Sequence, residues 1–450
     1  MRRLVIGSLL LAVACGGEPD APPLPPLPQA PPAEAPLSAA PADVIFIVVD
    51  TLRADRLHLY GSPRPTSPAL DALAADAVVF DRAYAPSPWT LPSVASILTG
   101  LGPGAHTATE TDRTLPEEVE TLAERLVARG YEAAFFGVNP YLLPSRGLDQ
   151  GFEPYQGLDG LSGAALNDRV SGYLRTRSPE RPLFLYVHYF EPHCPYEPPE
   201  ALAASLPPLA VATGRALTAD AWAGLPDCYQ LSGPDGAAQL SVDAYLDAYD
   251  GEVLQADGLV GSLLETLRTR GLYDGALIAV AGDHGESFWE SGDYGHGRTL
   301  DEAAVRVPLV IRPPGGGARR VSEPVSLTGL APTALLAAGV SPAAMPPRLR
   351  GGDLLGASLP TGVLVSTDYE NASAKGYFTE SYTLRMVDRL GTLTDASGAP
   401  MKDLQVEAAL SLRLRTEEAA QAADGAHMEP ALLPLDEDLL KQLRSIGYLH

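Results

Sequence analysis

Basic residues are scarce in this chain. Its 450 residues hold 32 Lys and Arg against 56 Asp and Glu, for a formal charge of −24. The density of Lys and Arg that neutralises phosphates along a nucleic acid is therefore missing, and nucleic-acid binding is excluded as a function class. Long apolar runs are missing too, because none approaches the ~20 residues that a membrane-spanning helix needs. No internal repeat is visible. Cysteine is sparse, at 3 residues. What is present is an ordinary globular balance, 46% hydrophobic and 20% charged, which excludes a chain disordered over most of its length.

The N-terminus departs from that balance. Arg2 and Arg3 precede an apolar stretch of eleven residues, Leu4 to Ala14, the layout of a secretory signal and too short to span a membrane. Ala14 followed by Cys15 resembles a bacterial lipobox, in which the Cys is lipidated and becomes the new N-terminus; the alternative is a cleaved signal with an incidental Cys. Residues 16–42 hold ten Pro in 27 positions and almost no large apolar side chain. Such a segment cannot bury enough surface to fold, and Pro keeps it extended. A tether directly after Cys15 makes physical sense when that Cys is fixed to a membrane, so the expectation is a signal over 1–15, a tether over 16–42, and a protein held at the bacterial cell envelope, facing the periplasm or the exterior. In an exported protein the remaining Cys194 and Cys228 are either a disulfide or two separate buried thiols.

Folded sequence begins at Asp43. The run DVIFIVV is continuous, apolar and β-branched, the pattern of a strand buried on both faces. SPALDALAADAVVF reads as a helix opened by Pro68 and running into a short strand. EEVETLAERLVARG reads as a helix closed by Gly130, and YEAAFFGV, PLFLYVHY, ALIAVAGDHGE and VRVPLVIR as further strands. VLQADGLVGSLLETLRTRG reads as a long amphipathic helix. Strands alternating with helices predict an α/β fold whose mostly parallel sheet is sandwiched by helices, over residues 43–360. From about Thr361 the pattern weakens to short alternating strands and a last helix, LDEDLLKQLRSIGYL, read as a smaller C-terminal subdomain over 361–450. The Pro-, Ala- and Gly-rich stretch from Glu200 to Ala238 reads as an insertion. Ligands of parallel sheets collect at the carboxyl ends of the strands, and Asp50, His188, His193, Asp283 and His284 all fall at or just past such ends.

Four segments in this order, VVDTLRADRLHLYG, SPWTLPSVASILTG, FLYVHYFEPHCPY and AGDHGESFWESGDYGHGRTLDEAAVRVPLVI, resemble the sulfatase family of the alkaline phosphatase superfamily. The resemblance implies an alkaline-phosphatase-like fold. It also implies one divalent cation (Ca, Mg, Mn or Zn) held by Asp50, Asp283 and His284, with Thr51 standing where many sulfatases carry a second Asp. A hard cation held by carboxylates supplies both charge at the transferred group and activation of a hydroxyl. Simpler readings make Asp50 a helix cap, and Asp283 and His284 turn residues before Gly285.

The departure lies at the nucleophile. The sulfatase pattern is Cys or Ser, any residue, Pro, any residue, Arg, and the first residue is oxidised to formylglycine. On LPSVASILTG that position is Thr90, Pro92 matches, and Val94 replaces the Arg. Thr cannot give the aldehyde by that route, so no formylglycine is expected. Related enzymes use Thr as a nucleophile toward phosphate esters, and a Thr hydroxyl needs such activation. A helix cap is the bland reading of Thr90, and Ser93 is the fallback nucleophile. The resemblance gives His193 a role in binding substrate or protonating the leaving group, and turns His296 toward the transferred group; both suit imidazole near neutral pH. His188 and Glu191 are second choices, able to help hold a second metal. Asn139 replaces a Lys of many sulfatases, and Arg298 is the candidate to compensate. His58 and His106 receive no role.

These residues lead to a metal-dependent hydrolase of sulfate or phosphate esters, phosphate esters and phosphodiesters favoured, with Thr90 as nucleophile and a substrate carried on a glycan or a lipid. The alternatives are an envelope phospho-group transferase and a non-catalytic binding lipoprotein.

Overall fold

The computed structural model describes residues 41–433 except 159, 234, 370, 371, 388, 389, 427, 429 and 430, together with 441 and 443. The signal segment, Cys15 and the tether up to residue 40 lie outside the described residues, as does the last helix apart from Lys441 and Leu443.

Strand β1 (Val44–Val49) is the axis of the fold. Its side chains alternate between two cores, with Val44, Phe46 and Val48 on one face of the sheet and Ile45, Ile47 and Val49 on the other. That is why the run carries no polar residue: both faces of the pleat are covered. Around it stand β2 (Val78–Phe80), β3 (Glu132–Val138), β4 (Tyr155–Leu158), β5 (Leu183–Tyr189), β6 (Leu277–Gly282), β7 (Leu309–Arg312) and β8 (Arg319–Val321), in the order β8-β2-β7-β6-β1-β5-β3-β4. All neighbours are parallel except those of β7, which runs against β6 and β2.

The α-helices longer than five residues among the described residues are α1 (Pro68–Ala74), α2 (Thr90–Thr99), α3 (Leu122–Val127), α4 (Gly163–Thr176), α5 (Val242–Thr269), α6 (Leu330–Ala337) and α7 (Leu404–Gly425). Three differ from the sequence reading. Helix α3 starts late, because Thr121 and Glu124 form a reciprocal capping box that sets its first turn and leaves Glu117 and Glu118 outside. Helix α5 starts eleven residues early, at Val242 rather than Val253, since Tyr245, Leu246 and Tyr249 continue its buried stripe upstream. Helix α7 was not expected. Its apolar seam is narrow, Leu410 and Leu414 buried with Leu404 and Leu412 largely exposed, so no broad periodic face announces it. Every residue of α2 is buried, and Gly100 ends it at φ +70°, where a Cβ would sit 2.9 Å from Leu349.

The C-terminal subdomain is an antiparallel meander of β9 (Val363–Tyr369), β10 (Ala372–Phe378), β11 (Tyr382–Val387) and β12 (Leu390–Asp395). Val363, Val365, Ala374 and Phe378 pack on Tyr84, Leu300, Ala304 and Val305, while Tyr377, Leu384 and Leu393 pack on α7. No helix among the described residues is long and apolar enough to cross a membrane.

Candidate active site

Register builds the site. Val49 stands level with Tyr189 on β5 and Gly282 on β6, so the three central parallel strands end together and bring Asp50, His188 and Asp283 to one edge. One atom from each of these side chains lies within 4.8 Å of the others, and all three residues are fully buried. Asp50 Oδ1, His188 Nε2 and Asp283 Oδ2 have no hydrogen-bond partner. Buried polar atoms are nearly always satisfied, and two carboxylates and an imidazole gathered this closely, each with an unpartnered atom, fit a divalent cation.

The electrostatics point the same way. Burial pushes the Asp50 carboxyl up, but contact with His188 and His284 outweighs it and holds the group well below the usual carboxylate range. Burial pushes Asp283 up to about 6, and the neighbouring imidazoles only partly oppose it. Burial lowers His284, yet the Asp283 and Asp50 carboxylates raise it to about 9. Two enclosed acids side by side repel, and a cation between them relieves both. The other Asp283 oxygen accepts backbone N–H bonds from His284 (2.8 Å) and Thr51 (3.3 Å). Thr51 is held at φ +52°, a conformation that costs a non-glycine residue about 1 kcal/mol or more and is tolerated where function over-determines the backbone.

Thr90 opens α2 as its first helical residue; Trp89 is the extended N-cap, so the Thr90 hydroxyl is not spent on capping. It lies 3.2 Å from His284 Nε2 and 3.4 Å from Asn139 Nδ2, at the positive end of the helix dipole. Tautomers and amide orientation follow from fixed partners. His284 Nδ1 is 2.9 Å from the Gly285 carbonyl, which only accepts, so Nδ1 carries a hydrogen and Nε2 is the nitrogen that faces Thr90. His284 Nε2 is also 3.3 Å from Asp50 Oδ1 and 3.7 Å from Asp283 Oδ2. Asn139 Oδ1 accepts from the Tyr141 N–H, which turns Nδ2 toward Asp50 Oδ2 at 2.6 Å. Gly285 lets this turn press on its neighbour, since a Cβ there would lie 2.0 Å from the Ala303 carbonyl oxygen.

His193 and His296 complete an imidazole cluster. The His296 ring is 4.5 Å from that of His284 and 5.2 Å from that of His193. His193 Nδ1 lies 2.9 Å from the Cys194 carbonyl, and burial lowers its pKa. His296 Nδ1 is 3.0 Å from Glu286 Oε1. Cys194 is bonded to Cys228 with their Cα atoms 5.4 Å apart, which ties the insertion to the His193 loop and brings Tyr229 to Glu286 and His296, 3.4 Å away in each case.

The other candidates are placed as follows. Arg298 reaches Asp293 (3.1 Å) and the Tyr294 carbonyl (3.0 Å). Ser93 donates its hydroxyl to the Asp283 carbonyl at 2.6 Å, and Val94 is a core residue. Glu191 accepts from the Gly163 N–H that begins α4. His58 pairs with Asp71 near the surface, and His106 is buried against Ser96. Sequence reasoning missed Glu286, Tyr196, Tyr229 and Tyr369. Only Glu286, inside the GDHGES segment, carried any local signal. Tyr369 reaches the site from β9, its ring 5.1 Å from that of Trp89.

A family model described as Sulfatase matches residues 42–340. The ulvan-active sulfatase of Formosa agariphila is 26% identical over 341 residues, which span 69% of this chain and 64% of that relative. The uncharacterized sulfatase YidJ of Escherichia coli is 23% identical over 369 residues, 71% of this chain and 72% of the relative. Among solved structures, the phosphonate monoester hydrolase of Silicibacter pomeroyi has a TM-score of 0.67 at 22% identity, covering 86% of this chain and 96% of that one. The phosphonate monoester hydrolase of Agrobacterium radiobacter has a TM-score of 0.63 at 20% identity, covering 88% and 98%. These structural likenesses speak to the fold alone, a mostly parallel sheet flanked by helices. The family match runs over more than half of the chain and takes in every side chain of the cluster from Asp50 to His296, and on that ground the chain belongs to the sulfatase family.

Proposed function

We propose that this protein is a metal-dependent ester hydrolase with Thr90 as its nucleophile, and that phosphodiesters and related singly charged phosphorus esters are its substrates. The carrying observation is the Thr90 hydroxyl 3.2 Å from His284 Nε2, on a ring whose other nitrogen is committed to a carbonyl. Asp50, His188 and Asp283 are the residues to hold the cation; in this reading His188 takes the place expected of His284, which serves Thr90 instead. Once bound, a divalent cation supplies Lewis acidity and neutralises charge at the transferred group. With a cation on the two carboxylates that raise the His284 pKa, the ring would be neutral, and its Nε2 takes the Thr90 proton as Oγ1 attacks phosphorus and the bond to the leaving oxygen breaks. His193, kept neutral by burial, presents Nε2 as an acceptor. His296, its ring 4.5 Å from that of His284, is the group that protonates the leaving oxygen. The neutral His296 ring then takes a proton from the water that cleaves the phospho-Thr, and His284 returns its proton to Thr90 Oγ1. Asn139 donates to the site without adding charge, which fits an ester with one negative charge better than a dianion.

The relatives favour a second reading, sulfate esters on glycans: one is described as ulvan-active, and one neighbouring structure holds its substrate D-glucosamine-2-N,6-O-disulfate. One screen separates the two. Protein loaded in turn with Ca, Mg, Mn or Zn is assayed on matched aryl sulfate, phosphate monoester, phosphodiester and phosphonate monoester. The diester and phosphonate are expected to lead, and Thr90→Ala to lose at least ~1,000-fold in kcat. Mass spectrometry is expected to find no aldehyde at residue 90. Sulfate turnover above that of every phosphorus ester, or full activity in Thr90→Ala, overturns the reading. The proposal extends to location: a lipid on Cys15 and the Pro-rich tether hold the enzyme at the envelope, where the ester is carried by a glycan or lipid.

A further inference from the structure

Glu286 has no part in the scheme so far, yet it is among the most enclosed acids of the site. It is fully buried and meets no Lys or Arg with its carboxylate among the described contacts. Oε2 accepts from Tyr196 Oη at 2.9 Å, Tyr229 Oη lies 3.4 Å from both oxygens, and Oε1 lies 3.0 Å from His296 Nδ1. The backbone is pinned as well: its N–H donates to the Ala303 carbonyl (3.0 Å), and its carbonyl accepts from Arg53 Nη1 (2.9 Å). A buried carboxyl group without a Lys or Arg partner is costly, and an apolar residue of similar volume would be the cheaper way to fill the space. What this acid contacts, besides two phenols, is one ring nitrogen of an imidazole. The 3.0 Å contact of Oε1 with Nδ1 sets which edge of the ring faces the acid and turns the Nε2 edge away from it.

We propose that Glu286 is the positioning residue of His296: it fixes the ring orientation and commits Nδ1, so that Nε2 points at the leaving oxygen. This rests on the reading of His296 as the group that protonates that oxygen. The proton moves from Nε2 to the leaving oxygen as the bond to phosphorus breaks and the Thr90 Oγ1 bond forms, and Glu286 neither gains nor loses one. Tyr196 and Tyr229 hold the carboxylate from two sides, and the Cys194–Cys228 bond joins the loops that carry them. Without the acid, the ring is free to turn over and present the wrong nitrogen.

The test compares Glu286→Ala, Glu286→Gln, His296→Ala and Glu286→Ala/His296→Ala on two phosphodiesters, one releasing p-nitrophenolate and one a simple alkyl alcohol. A good leaving group needs no proton and a poor one does. Glu286→Ala is expected to slow single-turnover release of the alkyl alcohol by about 10–100-fold, with KM little changed and single-turnover release of p-nitrophenolate nearly unaffected. Glu286→Gln, which still accepts from Nδ1, recovers most of the loss. The double variant is no worse than His296→Ala. Equal losses on both esters, or additive losses in the double variant, overturn the proposal. A readout without turnover is ¹⁵N-histidine NMR: a strongly deshielded Nδ1–H resonance, absent in His296→Ala, is expected to vanish in folded Glu286→Ala. Its persistence there, or its absence from the wild type, also overturns the proposal. Wild-type protein inactive on every ester would instead sink the hydrolase reading and leave the NMR result to decide this one.

Discussion

If Asp50, His188 and Asp283 hold a cation, stripping it must lower the melting temperature by an amount set by mass action. A ligand that binds only the folded state at about 100 times its dissociation constant adds about 2.7 kcal/mol. For the compact unit from Ala35 to His450, an unfolding entropy of about 2.1 cal/mol/K per residue gives about 0.9 kcal/mol/K. The expected shift is therefore about 3 °C near a midpoint of about 60 °C, growing by about 1.5 °C for each further tenfold in concentration. The assay is a thermal melt of chelator-stripped protein titrated with Ca, Mg, Mn and Zn. Asp50→Ala and Asp283→Ala are expected to lose the shift, because each removes one of the two carboxylates gathered with His188. Stripped Asp283→Asn should melt no lower than stripped wild type, since the amide replaces a carboxyl that burial already pushes up to about 6. An undiminished shift in both alanine variants, or no shift with any of the four ions, would refute the assignment.

Four further outcomes follow from named contacts. Ser93→Ala should keep most of the activity that Thr90→Ala loses, because the Ser93 hydroxyl is engaged with the Asp283 carbonyl; steady-state kinetics check it. Glu252 is pushed up to about 7, by burial first and by Glu191 next. Its folded value lies above the unfolded 4.5, so the native state holds the proton more tightly and stability falls as pH rises through that window. Glu252→Gln should flatten this slope and gain on the order of 2 kcal/mol at pH 8 in urea melts. Replacing both Cys194 and Cys228 with Ala should cost about 3–4 kcal/mol, the loop-closure value for a separation of 34 residues, and alkylation of the native protein should label neither thiol until reductant is added. Cys15→Ser should move the protein from the membrane fraction to the soluble one, and an unchanged fractionation would count against the anchor.

Much of the fold was legible because it is written in local periodicity. DVIFIVV has no polar position because both faces of β1 are covered. Pro68 opens α1 where its missing N–H does no harm. The acids and imidazoles past the strand ends were visible for the same reason: chain order alone puts Asp50 after β1, and Asp283 and His284 after β6. Where local signals were thin the reading was incomplete. The two buried leucines of α7 are too narrow a seam to mark a helix, and nothing in LVIR says that β7 runs against its neighbours.

The distances inside the site belong to the tertiary structure alone. His188 joins Asp50 and Asp283 because β5, β1 and β6 pair in parallel register and end on one line. Which imidazole nitrogen faces Thr90 is decided by a carbonyl against the other, and Glu286 finds His296 ten residues on, Tyr196 ninety back and Tyr229 fifty-seven back. Side-chain period and capping act over a few residues and can be read along the chain. Hydrogen-bond partners separated by tens or hundreds of residues are chosen by strand order, register and loop closure, and these exist only once the sheet has formed.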